Sequence, residues 1–353
     1  MSYTPYNAPI LSGLLGDMEI SKCFSVQADF DAMLKFETSL AEAQAKLDII
    51  PQDAAMAIAK VCASFEPDLR AINTAVGKDG LAVPEFIRQL RAHVGELHSD
   101  YVHFGSTSQD VIDTGLILRL VEVISILEKR LDAVDKALGN LADQFGQNDM
   151  MGRTRMQAAL PIKVIDRIRT WHAPLQNHIG RLEALKPQLL KLQLGGPVGT
   201  LEKFKDKADA LVETLANALG LIAPSYCWHT DRSTIVEFCN WLSFVTGMLG
   251  KMGMDISLMA QQGIEEIKIA GGGGSSTMPH KQNPVKAETL VTLAHFNATQ
   301  VSGMHHTLLH EQERSGAQWS LEWMIVPQMC VATGASTRLA QELVGSIEQM
   351  GKS

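Results

Sequence analysis

Between Thr114 and Phe145 the chain carries Leu116, Leu120, Val123, Leu127, Leu131, Val134, Leu138 and Leu141, always three or four residues apart, with Gly115 and Gly139 as the only weak helix formers. This spacing predicts one long amphipathic helix. Comparable stretches run from Lys163 to Leu194 (interrupted at Pro174 and Pro187), Leu201 to Leu219, Arg232 to Ile267, Val285 to Glu311 and Trp319 to Met350. Arg232 to Ile267 alone would extend ~54 Å as a helix, far more than a compact domain needs. Helices of that length must bury their apolar faces lengthwise, in a bundle that draws on other copies of the chain. Almost no segment alternates with period two, so an all-α fold is expected and a sheet-based one is not. Met248, Met252, Met254 and Met259 fit as adaptable core filler.

The first third has a different texture. Pro51, Pro67, Gly77, Gly80 and Pro84 divide it into short helical pieces such as Asp29 to Leu47. We expect an N-terminal helical domain over residues 1–105 and a long-helix bundle over residues 106–353. With 353 residues, 46% of them hydrophobic, the chain can bury a large core. A formal charge of -8 supplies no basic field, so nucleic acid is not an expected partner, and an anionic substrate would need a local basic site. Cys23, Cys62, Cys227, Cys239 and Cys330 are scattered, odd in number and form no C-x-x-C pair, which points to free thiols in a reducing cytoplasm. The N-terminus lacks a signal-peptide pattern, and no run approaches the ~18–20 apolar residues of a membrane span.

Three polar segments interrupt the helical pattern: His103 to Asp110 (HFGSTSQD), Gly152 to Gln157 (GRTRMQ) and Gly271 to Pro284 (GGGGSSTMPHKQNP). In the first, Ser106, Thr107 and Ser108 can serve a carboxylate at a helix N-terminus or simply cap that helix. In the third, four successive glycines make a loop that is mobile until something binds, with backbone N–H groups that can close on an anion. It is not a P-loop, which needs another spacing. A flexible linker would not require the Pro279, Lys281, Asn283 and Pro284 that follow.

The run from Gly274 to Pro284 resembles the signature of the fumarase/aspartase superfamily, and the other two segments fall where that superfamily has its remaining active-site regions. The similarity extends from about residue 30 to the C-terminus. It implies a fumarase/aspartase-like fold and a homotetramer whose long helices form a central bundle, with each active site shared between subunits. It also implies a small polycarboxylate substrate, no metal and no organic cofactor. Members commonly carry a further small C-terminal helical domain, expected here to be absent or shortened.

By the same resemblance, Ser275 is the proton-transfer residue, with Lys281 and Asn283 holding the carboxylate that takes on aci-carboxylate charge. Thr107 and Ser108, with Ser106, bind another carboxylate. A hydroxyl is a poor base unless its alkoxide is stabilised, which the glycine-loop N–H groups and a nearby ammonium can do. Adenylosuccinate lyase resembles the second segment but has a histidine where Arg155 stands, and that histidine assists departure of a nitrogen leaving group. A carboxylate, with a pKa near ~4, leaves or attacks as the anion and needs no such acid. Arg155 therefore fits a reaction whose nucleophile is a carboxylate. Tyr101 to Thr114, Trp228 to Arg232 and His310 to Ser315 resemble the superfamily's bacterial branch that lactonises 3-carboxy-cis,cis-muconate, an intermediate of protocatechuate degradation in the β-ketoadipate pathway.

Arg153, Arg155, Lys281 and Arg314 are the candidate cations for a tricarboxylate, with Gln157 beside them; Arg153 and Arg314 have ordinary ion pairing as their alternative. His103 has a structural role as its alternative. His306 and His310, four apart with Glu311 and Glu313 close by, have a spacing that could chelate a metal but are not H-E-x-x-H. Trp319 and Trp323 are read as core or pocket wall. An adenylosuccinate-type lyase and a catalytically silent structural relative are the competing functions.

Overall fold

The computed structural model describes residues 4–274, 277–278 and 281–352. Two short helices, α1 (Ser12–Leu15) and α2 (Met18–Lys22), lead into α3 (Val26–Lys46), α4 (Gln52–Cys62), α5 (Leu69–Asp79) and α6 (Val83–Val94). Three of the expected breakers act at their places. Pro51 caps α4, Gly80 ends α5 at φ 73°, and Pro84 sits in the first turn of α6. Gly77 stays inside α5.

The remaining chain is built on α7 (Ser108–Phe145), which starts upstream of the predicted Thr114 and spans ~55 Å. All eight apolar residues of its stripe are buried. It is followed by α8 (Val164–Leu189), α9 (Ala208–Leu219), α10 (Ser233–Met259), α11 (Val285–His306) and α12 (Ala317–Gly345). Arg232, just before α10, and Trp319, at the start of α12, both bond Asp113 near the start of α7. Thr114 bonds Gln193, just beyond the end of α8. Hence α7, α10 and α12 run one way and α8 and α11 return. The bundle has a head end, where α7 begins, and a tail end, where it finishes.

Several predicted helices are shorter than their apolar periodicity. The chain from Arg232 to Ile267 leaves the helix at Met259, turns through Glu265 and Gly263 at positive φ, and enters β3 (Ile267–Ile269). The stretch ending at Met350 leaves α12 at Gly345 and forms β4 (Ile347–Met350), antiparallel to β3. A six-residue 3-10 segment, Glu202–Lys207, precedes α9. A hairpin pairs β1 (Asp149–Thr154) with β2 (Gln157–Lys163). Both two-stranded ribbons lie at the tail end, joined by reciprocal 2.8 Å backbone hydrogen bonds between Asp149 and Lys352. Pro174 and Pro187 do not interrupt α8. Thr170, whose carbonyl Pro174 cannot bond, is exposed, so water can satisfy it, and Pro187 falls in the last turn, where few bonds are lost.

α10 and α11 pack closely because α10 presents Gly250 and Gly253 on one face. A Cβ at Gly253 would lie 2.4 Å from the Ala287 carbonyl oxygen, and one at Gly250 would lie 2.6 Å from the Ala294 Cβ. Met248, Met252 and Met259 are buried, whereas Met254 is 45% exposed and is not core. No helix among the described residues is long and apolar enough to cross a membrane.

Candidate active site

At the head end, the turn that opens α7 is organised by Asp110. This fully buried carboxylate accepts from the backbone N–H of Thr107 (3.0 Å), Gly195 (2.8 Å) and Gly196 (2.9 Å), the Ser106 hydroxyl (3.2 Å) and His229 Nε2 (2.8 Å). Burial works to lower the pKa of His229, but hydrogen bonding to Asp110 and the neighbouring Cys227 outweighs it and pushes the imidazole up to about 9. One turn on, Asp113 accepts from Arg232 Nη1 (2.7 Å) and Nη2 (3.0 Å) and from Trp319 Nε1 (3.0 Å). Arg232 also donates twice to Glu322, at 2.8 and 2.7 Å, and has no exposed side-chain surface. Burial opposes its charge, yet the two carboxylates hold its pKa above the ordinary value. Burial raises the Glu322 carboxyl, with Arg232 pulling the other way.

Arg314 joins this end. Its Nε donates to Gln109 Oε1 (3.2 Å) and its Nη2 to the Pro197 carbonyl (3.1 Å). The guanidinium therefore lies beside the turn that carries Thr107 and Ser108. His103 lies at positive φ (60°) in the same segment, and its Nδ1 is 2.6 Å from Oε1 of the buried Glu37. That partner ties His103 to α3, the structural alternative raised from sequence.

At the tail end, the β1–β2 hairpin turns through Arg155 and Met156, both at positive φ (47° and 67°). Gln157 is exposed and pairs with Thr154 across the turn. Arg153 is already matched: its Nη1 lies 2.6 Å from both carboxylate oxygens of Glu266. Arg155 is exposed and has no ion pair to a described residue. The two arginines line a cleft of about 360 Å³ with Arg167, Lys251, Asp255 and Glu266. Within it Lys251 pairs with Asp255, and Asp255 also accepts from Trp171 Nε1 at 2.7 Å.

The root of the glycine-rich segment is also at this end. Gly273 and Asn283 exchange two backbone hydrogen bonds of 2.9 Å, closing the loop between them. A Cβ at Gly273 would lie 2.5 Å from Val285 Cγ2, so any side chain there would have to displace Val285. Lys281 is exposed, and its backbone N–H donates to Met278. Ser275, the residue expected to transfer the proton, lies outside the described residues.

The predicted residues thus fall into two groups. His103, Ser106, Thr107, Ser108 and Arg314 gather at the head; Arg153, Arg155, Gln157, Lys281 and Asn283 gather at the tail, with the full length of α7 between. Sequence reasoning missed Gln109, Asp110, Asp113, His229, Arg232, Glu322 and Glu266 as supports. The available signal was Asp110 and Asp113, one turn apart on the face of α7 that continues into its apolar stripe, facing His229 and Arg232 with the same spacing. α11 ends at His306, so His306 and His310 do not share one helix face, and no cluster of three or more His, Cys, Asp or Glu able to hold a metal occurs among the described residues.

A profile described as "Lyase" matches residues 18–303. The chain belongs to this lyase family. Its relatives within the fumarase/aspartase superfamily include 3-carboxy-cis,cis-muconate cycloisomerase of Acinetobacter baylyi, 36% identical over 95% of this chain and 76% of that protein. The cycloisomerase of the same name from Pseudomonas aeruginosa is 35% identical over 92% of this chain and 72% of that one. The crystal structure of the 3-carboxy-cis,cis-muconate lactonizing enzyme from Pseudomonas putida superposes with a TM-score of 0.91 at 33% identity, covering 97% of this chain and 77% of that one. The chain therefore spans about three-quarters of the length of these family members, and its helices follow the fumarase/aspartase fold.

Proposed function

We propose that this lyase-family chain is a 3-carboxy-cis,cis-muconate cycloisomerase, which closes its substrate to a carboxymuconolactone. The observation that carries this reading is likeness to enzymes of that name over more than nine-tenths of the chain. The guanidinium of Arg155, which forms no ion pair with a described residue and stands in the segment where a nitrogen-expelling relative would need a proton donor, supports it. In the reaction one substrate carboxylate oxygen adds to a double-bond carbon, and the neighbouring carbon, which bears another carboxylate, takes up a proton. No atom is lost. The reverse is a β-elimination in which that proton leaves and the carboxylate oxygen departs as an anion.

Ser275 carries the proton, with Lys281 stabilising its alkoxide and Asn283 holding the carboxylate that accumulates charge. Arg155 and Arg314 position the remaining carboxylates, helped by Ser106, Thr107 and Ser108 at the N-terminus of α7. Arg153, Gln157 and His103 shape the surrounding wall. Head and tail groups lie ~55 Å apart along α7, so one small substrate can meet both only where copies of the chain assemble. A homotetramer with sites shared between subunits satisfies this, and the half-exposed Phe244, Met254 and Met324 on α10 and α12 supply apolar surface for it. A cytoplasmic setting suits the five free cysteines.

The deciding experiment follows the conjugated-diene absorbance of 3-carboxy-cis,cis-muconate and, separately, fumarate release from adenylosuccinate. Loss of the diene signal alone is expected; fumarate release alone would replace this reading with an adenylosuccinate-type lyase.

A further inference from the structure

Arg314 is held differently from Arg153 and Arg232. Arg153 faces Glu266, and Arg232 is clamped between Asp113 and Glu322, so their charges are cancelled by carboxylates. Arg314 is fixed by two neutral acceptors, the Gln109 side-chain oxygen and the Pro197 carbonyl, and has no ion pair among the described residues. Two such bonds set the plane of a guanidinium without neutralising it. Its Nη1 group bonds no described residue, so at least one donor edge remains for an incoming anion.

We propose that Gln109 is a positioning residue, one that keeps Arg314 oriented and uncompensated for a substrate carboxylate; this rests on the reading of Arg314 as substrate-binding given above. Gln109 is fully buried, and its amide can face only one way. Its Nε2 donates to Asp113 Oδ2 (3.1 Å) and to the His229 carbonyl (2.8 Å), two acceptors that the amide oxygen could not satisfy. Oε1 is thereby turned toward Arg314. Asp113 is itself immobilised by Arg232 and Trp319, so the orientation is transmitted from a buried ionic cluster to a half-buried cation. A glutamate here would place a carboxylate against Arg314 and cancel the charge the substrate needs. An apolar side chain would leave the guanidinium held by the Pro197 carbonyl alone, which does not fix its plane.

The test is steady-state kinetics on 3-carboxy-cis,cis-muconate with Gln109→Met, Arg314→Met and the double variant, each verified as folded by its thermal transition. Gln109→Met is expected to raise KM about tenfold, the scale of one hydrogen bond to a charged group, with kcat within about twofold. Arg314→Met should raise KM at least as much. In the Arg314→Met background the second change should add less than about twofold, because Gln109 acts through the missing guanidinium. An unchanged KM in Gln109→Met, or effects that multiply in the double variant, would overturn the proposal while leaving Arg314 as a substrate contact. A silent Arg314→Met would instead remove that contact, and the proposal with it. Should Gln109→Met fail to fold, Gln109→Asn carries the same test, since its amide can still donate within the buried cluster but is one methylene too short to span both that cluster and Arg314: a raised KM that disappears as a separate effect once Arg314 is replaced supports the proposal, and an unchanged KM overturns it.

Discussion

Asp110 gathers five donors from three parts of the chain, and one of them, His229, gives the protein a pH signature. The folded imidazole is pushed up to about 9 from an ordinary value of 6.5, so the native state holds a proton that the unfolded chain releases earlier. The resulting stabilisation is complete below pH 6.5 and is lost as pH rises through about 9. Thermal transitions from pH 6 to pH 10 should fall by several degrees across that window, and His229→Gln should flatten the profile; an equally steep fall in the variant would place the titration elsewhere. For chemistry, Ser275→Ala should abolish lactonisation with little loss of stability, and near-normal turnover would remove Ser275 from the mechanism. Arg155→Met should raise KM about tenfold or more, as loss of a charge-assisted contact does, whereas unchanged kinetics would place Arg155 outside the site. The candidate substrate contacts were legible from sequence because they stand in polar, glycine-bearing breaks. Their supports were not: Gln109 reads as one more polar residue of its segment, and Glu266 finds Arg153 only after both two-stranded ribbons have formed.

At the scale of elements, periodicity located α7 well because its stripe is continuous and every member is buried on one side. It failed at the ends of α10 and α12, where apolar spacing persists while backbone turns divert the chain into β3 and β4. Short two-stranded ribbons such as β1–β2, with β2 almost wholly exposed, lack the alternating burial that would announce them. Proline at positions 174 and 187 was a misleading stop signal because a long packed helix tolerates a lost bond where water can replace it. The contact between α10 and α11 sets two effects against each other. Gly253→Ala should gain about 1 kcal/mol from helix propensity, but its methyl would meet the Ala287 carbonyl at 2.4 Å, and the backbone cannot yield there without parting the helices. The collision should dominate, lowering the thermal midpoint by several degrees; a rise would show that the two helices separate freely.

For the whole molecule, the length of α7 decides how a site can be built. The candidate carboxylate-binding turn and Arg314 lie at one end, and Arg155 with the base of the glycine-rich loop at the other, so a single chain holds two halves that cannot meet. The overlong helices expected from sequence already called for partners, but which motif falls at which end became visible only once the direction of each helix was known. Mixing two inactive variants, Arg314→Met from the head and Lys281→Met from the tail, measures this directly. After co-refolding in equal amounts, the account predicts recovery of about a quarter of wild-type turnover, since one site in four would receive both intact halves in a randomly mixed closed oligomer. A mixed oligomer with no more activity than either parent would contradict it.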